Sequence, residues 1–371
     1  MTTWFSPDDC RLSDFRAVVE QTTSTASYPH AVAVEQNVLI YDNPPASALP
    51  ELTSALLDGP GIVVFKNAVD PTVVDRASAV FFAMIEEQKA AGVVGGDHFA
   101  KPGANDRVWG ALDKFAVRDP MGFASYYANS ALTLISRAWL GDGYQVTSQI
   151  NVVNPGGQAQ VAHRDYHLGF MSLPQALAYP AHAHRLSPGL TLQGAIAHVD
   201  MPVETGPTLY LPHSQKYAPG YLAFHQPEFT DYFNEHYVQL PLAKGDAAFF
   251  NPALFHGAGT NRTTGVRRMA NLLQISSAFG RAMESVDRLA MCRALYPALL
   301  SFEGDVDNVI AASAEGYAFP TNLDRDQPVD GLAPPTQAEL VRQALSEKWD
   351  EPRFAAALES QAARRLPEVA R

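Results

Sequence analysis

The sequence predicts a mainly β protein, in which a sandwich or barrel of short strands is flanked by helices. Short apolar segments recur beyond about residue 144, and each is bounded by Gly, Pro or Asn, as the strands of a sandwich or barrel are. Clear helical patterns do not alternate with these segments, which argues against βαβ units. The chain of 371 residues is 47% hydrophobic and 18% charged, so it contains enough apolar side chains for a sizeable core.

The first elements expected along the chain are a helix over 12–21 and a short strand over 37–41. Residues 59–66 then combine a Gly-Pro-Gly turn with an apolar run, which predicts a buried strand. A helix over 70–91 is expected next, because its first two residues, Asp and Pro, suit the N-cap and the first helical position. This helix would pack its apolar stripe against the strands.

The middle and the end of the chain differ in their patterns. Residues 92–122 are rich in Gly, Asp and aromatic residues and are expected to form a loop, and a second helix is expected over 125–139. The expected strands after it cover 144–153, 160–163, 190–198, 208–212, 236–241, 247–250 and 267–277. Beyond about residue 284 the sequence becomes helical again, most clearly at 338–345 and 352–365.

These patterns divide the chain into three parts. We expect an N-terminal extension (1–55) that packs on the core, a core with buttressing helices (56–283), and a helical C-terminal extension (284–371). The two cysteines, Cys10 and Cys292, are far apart and have neither a disulfide framework nor a zinc-binding spacing around them.

Charge and hydropathy narrow the class of partner. The formal net charge is -12 and the pI is about 5.3, which opposes binding to nucleic acid or to an anionic membrane. The first residues have no signal-peptide pattern, and no segment approaches the roughly 20 apolar residues that span a bilayer. We therefore expect neither a nucleic acid nor a membrane partner. A cytoplasmic location, a small-molecule substrate and assembly as a homodimer are separate expectations that charge and hydropathy do not decide.

Two histidines and an aspartate form the most informative candidate site. His163-Arg164-Asp165 contains an H-x-D motif, and His256 follows several strands later. Two imidazoles and one carboxylate can occupy one face of an octahedral Fe(II), leaving the opposite face open for a co-substrate and O2. A single H-x-D is weak evidence, and His198-Val199-Asp200 is a second copy. His198 ends an apolar strand at a turn, where a structural histidine is the better interpretation.

Two arginines at the start of the last predicted strand, Arg267 and Arg268, are candidates for binding a 2-oxo acid. An inward guanidinium could bind its far carboxylate by a bidentate, charge-assisted pair. Neighbouring residues of a strand face opposite ways, so at most one of the two points inward. The alternative is that both are solvated charges at the edge of the sheet.

Four segments, in order along the chain, resemble the phytanoyl-CoA dioxygenase family of Fe(II)/2-oxoglutarate oxygenases. They are residues 61–71, 161–166, 204–216 and 244–259. The resemblance implies a double-stranded β-helix (a jelly-roll, cupin-like core) with Fe(II), 2-oxoglutarate and O2 as cofactor and co-substrates. It also implies that His163, Asp165 and His256 bind the metal. Arg267 lies eleven residues after His256, where the family's 2-oxoglutarate arginine is expected, so we assign that role to Arg267 and not to Arg268.

Further side chains are assigned from strand faces and from the resemblance. Gln149, Thr191 and Gln193 are expected at the co-substrate, and Asn151, Tyr166, His167 and Trp109 at the substrate. For each of them a structural role is at least an equal alternative. Trp109 belongs to a segment with His98, Lys101 and Arg107 that would form either a substrate lid or an ordinary surface loop. The chain departs from the family pattern at Ala258, His213 and Gln215.

The implied reaction is the oxidative decarboxylation of 2-oxoglutarate to succinate and CO2, coupled to oxidation of a C–H bond. Asp165 stands where halogenases of this superfamily carry a small residue, so hydroxylation, desaturation or ring closure is favoured over halogenation. One alternative is a cupin-like metal hydrolase or isomerase that uses the same three ligands without 2-oxoglutarate. The other is a non-catalytic jelly-roll binding protein. Substrate identity, including whether it is a CoA ester, is left open.

Overall fold

Two β-sheets face each other across a cavity in the computed structural model, which describes residues 2–92 and 104–367. The strands are β1 (Ala33–Glu35), β2 (Val38–Asp42), β3 (Ile62–Lys66), β4 (Asn105–Val108), β5 (Gln145–Val153), β6 (Thr191–Ala197), β7 (Leu209–Leu211), β8 (Val238–Gln239), β9 (Ala247–Phe250), β10 (Phe255–Gly257) and β11 (Arg268–Ser276). The larger sheet has eight strands in the order β1-β2-β3-β9-β6-β11-β5-β4, and the smaller has the order β10-β7-β8.

The strand order is that of a jelly roll, because strands far apart in sequence alternate within the larger sheet. β11 lies between β5 and β6 and pairs antiparallel with both. All pairs of the two sheets are antiparallel except β2 with β3. A bridge between His163 and His256 continues the smaller sheet beyond β10.

Helices cover the outer surfaces of both sheets. They are α1 (Leu12–Val19), α2 (Leu49–Leu57), α3 (Pro71–Ala90), α4 (Ala111–Arg118), α5 (Pro120–Tyr127), α6 (Ser130–Leu140), α7 (Leu173–Ala176), α8 (Ala181–Leu186), α9 (Gly220–Ala223), α10 (Pro227–His236), α11 (Arg288–Leu299), α12 (Val306–Ser313), α13 (Gln337–Ser346) and α14 (Glu351–Arg365). None of the described helices combines the length and the apolar character needed to cross a bilayer.

The main hydrophobic core lies between the larger sheet and the helices α2 to α6, α11 and α12. Strand alternation supplies it, because every second residue of β5, β6 and β11 points to the helices. The smaller sheet packs against α1 and α10 through a separate aromatic cluster that includes Phe15, Phe229 and Phe255. Both cores leave the inner faces of the two sheets free to line the cavity.

The predicted class, a jelly-roll core with flanking helices, is confirmed, although helices hold about 44% of the residues and strands about 17%. α3 begins as expected, because the Asp70 carboxylate accepts a hydrogen bond of 2.8 Å from the Thr72 amide and Pro71 follows the cap. The N-terminal segment supplies β1, β2 and α1, and α11 to α14 follow residue 283. The division into three parts stays a prediction.

Three element predictions are wrong. The strand expected over 160–163 is absent, and only His163 forms an isolated bridge there. The loop expected over 92–122 contains β4 and α4, and β4 is a short edge strand stabilised by pairing with β5, which a local pattern does not reveal. The single helix expected over 125–139 is two helices, α5 and α6, because the Asn129 side chain caps α6 by accepting a hydrogen bond of 2.9 Å from the Leu132 amide. Residues 93–103 lie outside the described part of the chain.

Candidate metal centre

The backbone brings His163, Asp165 and His256 together. His163 and His256 are opposite each other in an antiparallel bridge, with N–O distances of 3.0 and 3.1 Å. The Asp165 amide donates to the Pro252 carbonyl oxygen at 2.9 Å, which fixes the next turn of the chain against the same segment. As a result, one ligand atom from each of the three side chains lies within 4.8 Å of the other two.

The two imidazoles are held in the same tautomer. His163 Nδ1 donates to the Val161 carbonyl oxygen and His256 Nδ1 to the Leu254 carbonyl oxygen, both at 2.8 Å. A carbonyl oxygen only accepts, so in each neutral ring the proton is on Nδ1 and Nε2 carries a lone pair. Both Nε2 atoms face the Asp165 carboxylate, at 3.6 Å from His163 and 3.3 Å from His256. Such an arrangement of lone pairs is stabilised by a cation placed among them.

Burial and charge favour the metal-binding protonation states. Burial lowers the pKa of His163, although Asp165 partly opposes this shift, so the neutral imidazole is favoured. Burial alone would raise the pKa of Asp165, but the two imidazoles and the Gln193 amide lower it to about 2. Two imidazole nitrogens and one carboxylate form a donor set that fits a non-haem Fe(II).

The cavity between the sheets begins at this triad and continues along the inner faces of β5, β6 and β11. Gln193 of β6 donates a hydrogen bond from Nε2 to Asp165 Oδ2 and so orients that carboxylate. Gln149 of β5 donates to Gln274 Oε1 at 3.2 Å. The inner face of the larger sheet is thus rich in polar side chains, whereas its outer face is mostly apolar.

Arg268 lines the cavity and Arg267 does not, so the geometry does not support the predicted assignment of Arg267 to the co-substrate. Arg268 is 7% exposed and its Nη1 donates to the carbonyl oxygens of Thr205 and Gly259, both at 3.3 Å. Burial lowers the pKa of Arg268 to about 10, so the group is still a cation near neutral pH. Among the residues that the structure describes, no carboxylate pairs with it.

Arg267 lies on the opposite face of the sheet. Its Nη2 pairs with Asp106 Oδ2 at 2.8 Å, its Nε donates to Asn154 Oδ1 at 3.3 Å, and its guanidinium lies over the Phe82 ring. The inward series of β11 begins at Arg268 and continues with Ala270, which is opposite Asn151 of β5. The spacing of eleven residues therefore selects the arginine on the outer face of the sheet.

The remaining predicted site residues divide into two groups. Gln149, Gln193, Asn151 and Trp109 line the cavity, as do the three triad residues. Thr191, predicted at the co-substrate, and Tyr166 and His167, predicted at the substrate, are not among the residues that line this cavity, and their roles stay predictions.

Each of these three has a different environment. Thr191 begins β6 and accepts a hydrogen bond at its carbonyl oxygen from Trp139 Nε1 at 2.9 Å. The Tyr166 ring packs on Phe170, and His167 Nδ1 lies 3.1 Å from Ser187 Oγ. His98 and Lys101, suggested as lid residues, lie outside the described part of the chain.

Several cavity residues were not predicted. Arg107, which the sequence suggested only as part of a lid or loop, lines the cavity from β4. Gln160 and Tyr210 also line it, and Gln160 Oε1 accepts a hydrogen bond of 3.0 Å from the Ala258 amide. The alternation of β4 would have pointed to Arg107 if this strand had been recognised. No sequence signal singles out Gln160 or Tyr210.

His198, in the second H-x-D copy, is packed into the core as a structural residue. His198 is 2% exposed on the helix side of the larger sheet, with Nδ1 2.8 Å from Ser78 Oγ and Nε2 2.9 Å from the Tyr126 hydroxyl. Burial lowers its pKa to about 3. Both ring nitrogens are occupied by hydroxyl groups, so this histidine has no free position for a metal.

Comparisons with known proteins agree with the geometry. The family model of phytanoyl-CoA dioxygenase (PhyH) matches residues 57–269, which is more than half of the chain. Dioxygenase trt7 of Aspergillus terreus (strain NIH 2624 / FGSC A1156) is 26% identical over 223 residues, which cover 59% of this chain and 71% of trt7.

Solved structures with a similar arrangement include AviO1 from Streptomyces viridochromogenes Tue57, at 17% identity and a TM-score of 0.45, covering 64% of this chain and 98% of AviO1. Another is the epimerase SnoN of nogalamycin biosynthesis, in complex with Fe3+, alpha ketoglutarate and nogalamycin RO, at 18% identity and a TM-score of 0.40, covering 63% of this chain and 85% of SnoN. The family match decides the assignment: this chain belongs to the phytanoyl-CoA dioxygenase family and is an Fe(II)/2-oxoglutarate-dependent dioxygenase that uses O2.

Proposed function

We propose that this enzyme hydroxylates a C–H bond of a small-molecule substrate, with His163, Asp165 and His256 as the ligands of Fe(II) and Arg268 as the binding residue for the distal carboxylate of 2-oxoglutarate. The observation that carries the proposal is the convergence of two Nε2 lone pairs on the Asp165 carboxylate. Convergence within 4.8 Å, with both Nδ1 atoms already engaged, supports a facial metal site.

Bound Fe(II), with 2-oxoglutarate and O2, supplies the oxidising chemistry, and succinate and CO2 are the co-products. The contribution of the protein is to fix the positions of the groups. The carbonyl oxygens of Val161 and Leu254 hold the imidazole rings in orientation, and the Gln193 amide holds the carboxylate.

Arg268 adds a cation to the wall of the same cavity. A cation buried against two carbonyl oxygens gains an anionic partner when 2-oxoglutarate binds, and the guanidinium can form two parallel hydrogen bonds with the carboxylate. Ala258 lines the same cavity, where the family often has Ser, so the arginine contributes a larger share of the co-substrate contacts.

The test is the anaerobic addition of Fe(II) and then 2-oxoglutarate to metal-free protein, followed by visible absorption spectroscopy. We expect the weak charge-transfer band of a chelated 2-oxo acid in the wild type. The band should be absent in His256→Ala, which lacks one metal ligand, and present in Arg267→Gln, which changes only the outer face of the sheet.

Arg268→Gln should show the band only at much higher 2-oxoglutarate concentrations. If folded, iron-loaded wild-type protein shows no band, the co-substrate assignment is wrong. If the band persists in His256→Ala, the metal lies elsewhere.

A further inference from the structure

Arg164 lies between His163 and Asp165 in the chain, but its side chain neither belongs to the triad nor lines the cavity. It is 2% exposed, so a group that is a cation near neutral pH is removed from water. Among the residues that the structure describes, no carboxylate pairs with it. Burying a charge without an ion pair costs free energy that an apolar side chain would not cost.

The guanidinium of Arg164 binds one short stretch of the chain, residues 214–221, which we call the anchor segment. Nη2 donates to the carbonyl oxygens of Ser214 at 2.6 Å and Tyr217 at 2.9 Å. The guanidinium carbon also lies 5.1 Å from the centre of the Tyr221 ring and 5.2 Å from that of the Phe255 ring. Two hydrogen bonds and two aromatic faces thus fix its position.

The anchor segment also binds the chain at the other two metal ligands. Ser214 Oγ accepts a hydrogen bond of 2.8 Å from the amide of Phe255, the residue before His256. The Tyr221 hydroxyl donates to the carbonyl oxygen of Asp165 at 3.3 Å. Together with the guanidinium, these bonds connect the anchor segment to the chain at or beside all three ligands.

Gly220, which begins α9, allows the guanidinium to approach the anchor segment closely. A Cβ atom at Gly220 would lie 1.9 Å from Arg164 Cζ, and the three atoms nearest to it would all belong to that guanidinium. Gly220 does not have a positive φ, so its backbone conformation is open to other residues. The missing side chain therefore serves the contact with Arg164.

We propose that Arg164 is a positioning residue of the metal centre, which holds the H-x-D turn in place against His256 through the anchor segment. The inference rests on the proposed function, in which His163, Asp165 and His256 bind Fe(II). A guanidinium suits this task because it only donates, and its planar fork fits carbonyl oxygens at a fixed angle. An apolar side chain would fill the same space without fixing the turn, and the three ligand atoms would be less well placed for one metal ion.

The test separates metal affinity from stability. Arg164→Met keeps an apolar stem between the aromatic rings but removes the guanidinium. Folded Arg164→Met should bind Mn(II) about 10–100-fold more weakly than the wild type, as measured from the EPR signal of the free ion during a titration. Arg164→Lys, which keeps the charge without the planar fork, should show a smaller loss. Circular dichroism and urea unfolding of each metal-free protein report on the fold and its stability.

Arg288→Met is the matched control, because Arg288 also donates to backbone carbonyl oxygens but lies at the start of α11, outside the cavity. Its acceptors are Val146, Ala312 and Ser313, at 3.1–3.4 Å. Arg288→Met should lower stability and leave the Mn(II) affinity of the folded protein unchanged. An Arg164 that only stabilised the fold would give this same result.

Gly220→Ala probes the same contact from the other side. Its Cβ would displace the guanidinium, so Mn(II) affinity should fall toward that of Arg164→Met. In the double variant with Arg164→Met the guanidinium is gone, so Gly220→Ala should cause little further loss of affinity.

Two results would overturn the inference. They are a Mn(II) affinity of folded Arg164→Met equal to that of the wild type, and losses in Arg164→Met and Gly220→Ala that add in the double variant. If Arg164→Met does not fold, wild-type affinity in both Arg164→Lys and Gly220→Ala overturns it instead. His256→Ala identifies a failure of the proposed function: if this variant binds Mn(II) as tightly as the wild type, the triad is not the metal site, and the inference falls with it.

Discussion

The two faces of the larger sheet are built from alternate residues of the same strands, yet they differ in almost every property. The outer face carries Ile150 and Met269, which are fully buried under the helices. The inner face carries Asn151 and Arg268, which are also buried but lie against the cavity. Burial alone therefore does not distinguish the structural face from the functional one.

Hydrogen bonding does distinguish them. On the inner face, Asn151 Oδ1 and Gln193 Oε1 are buried without partners among the described residues. On the outer face, a polar network is complete: the Asn271 side chain accepts from Ser148 Oγ at 2.6 Å and donates to the hydroxyls of Tyr126 and Tyr127. In the larger sheet, the Asn271 network of the outer face is thus paired within the protein, whereas these two oxygens of the inner face are not.

The largest expected effect comes from the inner face. His256→Ala removes one of three metal ligands, so iron binding and turnover should fall by more than the roughly 10–100-fold that loss of a partner of a metal ligand costs. Iron content after anaerobic loading measures the effect, and circular dichroism should show an unchanged fold. Iron content equal to that of the wild type would contradict the assignment of the ligand.

A substitution on the outer face should lower the stability of the protein but leave its ligand binding unchanged. Ile150→Ala leaves a cavity under the helices and should lower the free energy of unfolding by about 2–5 kcal/mol. The affinity of the folded protein for 2-oxoglutarate should stay close to that of the wild type. Asn151→Ala, the neighbouring residue on the inner face, should cost far less stability in the same urea titration. If Ile150→Ala and Asn151→Ala lowered the free energy of unfolding equally, the two faces would not differ in their contribution to stability.

Arg267 and Arg268 are neighbours in sequence but lie on opposite faces of the sheet, so their substitutions should affect different properties. Arg268→Gln removes charged hydrogen bonds worth about 1.5–3 kcal/mol and should weaken 2-oxoglutarate binding by roughly 10–100-fold. Arg267→Gln removes a partly exposed ion pair with Asp106, worth about 0–1 kcal/mol of stability, and should leave that binding unchanged. Isothermal titration measures both. If Arg267→Gln weakened 2-oxoglutarate binding more than Arg268→Gln did, Arg267 would be the residue that binds the co-substrate.

A smaller effect of pH is expected from the helix side of the sheet. Burial lowers the folded-state pKa of His198 to about 3, so between this value and the ordinary value near 6.5 the unfolded chain binds a proton that the folded chain does not. Stability contributed by the neutral His198 is therefore present above pH 6.5 and is lost as the pH falls, by up to about 1.4 kcal/mol per pH unit.

Urea unfolding of metal-free protein between pH 7 and pH 5 tests this. His198→Gln, which does not titrate, should show a smaller loss of stability over the same range. An identical slope in both proteins would exclude His198 as a cause of acid sensitivity.

Features that depend on neighbouring residues were predictable from the sequence. The H-x-D turn, the later His256 and the capped helix α3 are local patterns, and the structure has them where the sequence indicates. β4 depends on its pairing with β5, which is distant in sequence, so its short segment was interpreted as a loop.

The choice between Arg267 and Arg268 depends on the turn before β11. Asn261 fixes this turn, because its side-chain nitrogen donates to the carbonyl oxygens of Val153 and Val266, and its oxygen accepts from the Thr263 amide. The turn sets the residue at which the inward series of the strand begins, and one of its anchors, Val153, belongs to another strand. Counting residues from His256 does not include this tertiary contact, so it selected the outer arginine.

A crystal structure of the anaerobic complex with Fe(II) and 2-oxoglutarate tests the central claim most directly, because anomalous scattering locates the iron without reference to the protein. The account predicts one iron peak within bonding distance of His163 Nε2, the Asp165 carboxylate and His256 Nε2, with the distal carboxylate of 2-oxoglutarate on Arg268. An iron peak away from these three residues, or a distal carboxylate bound by Arg267 or Arg107, would contradict it.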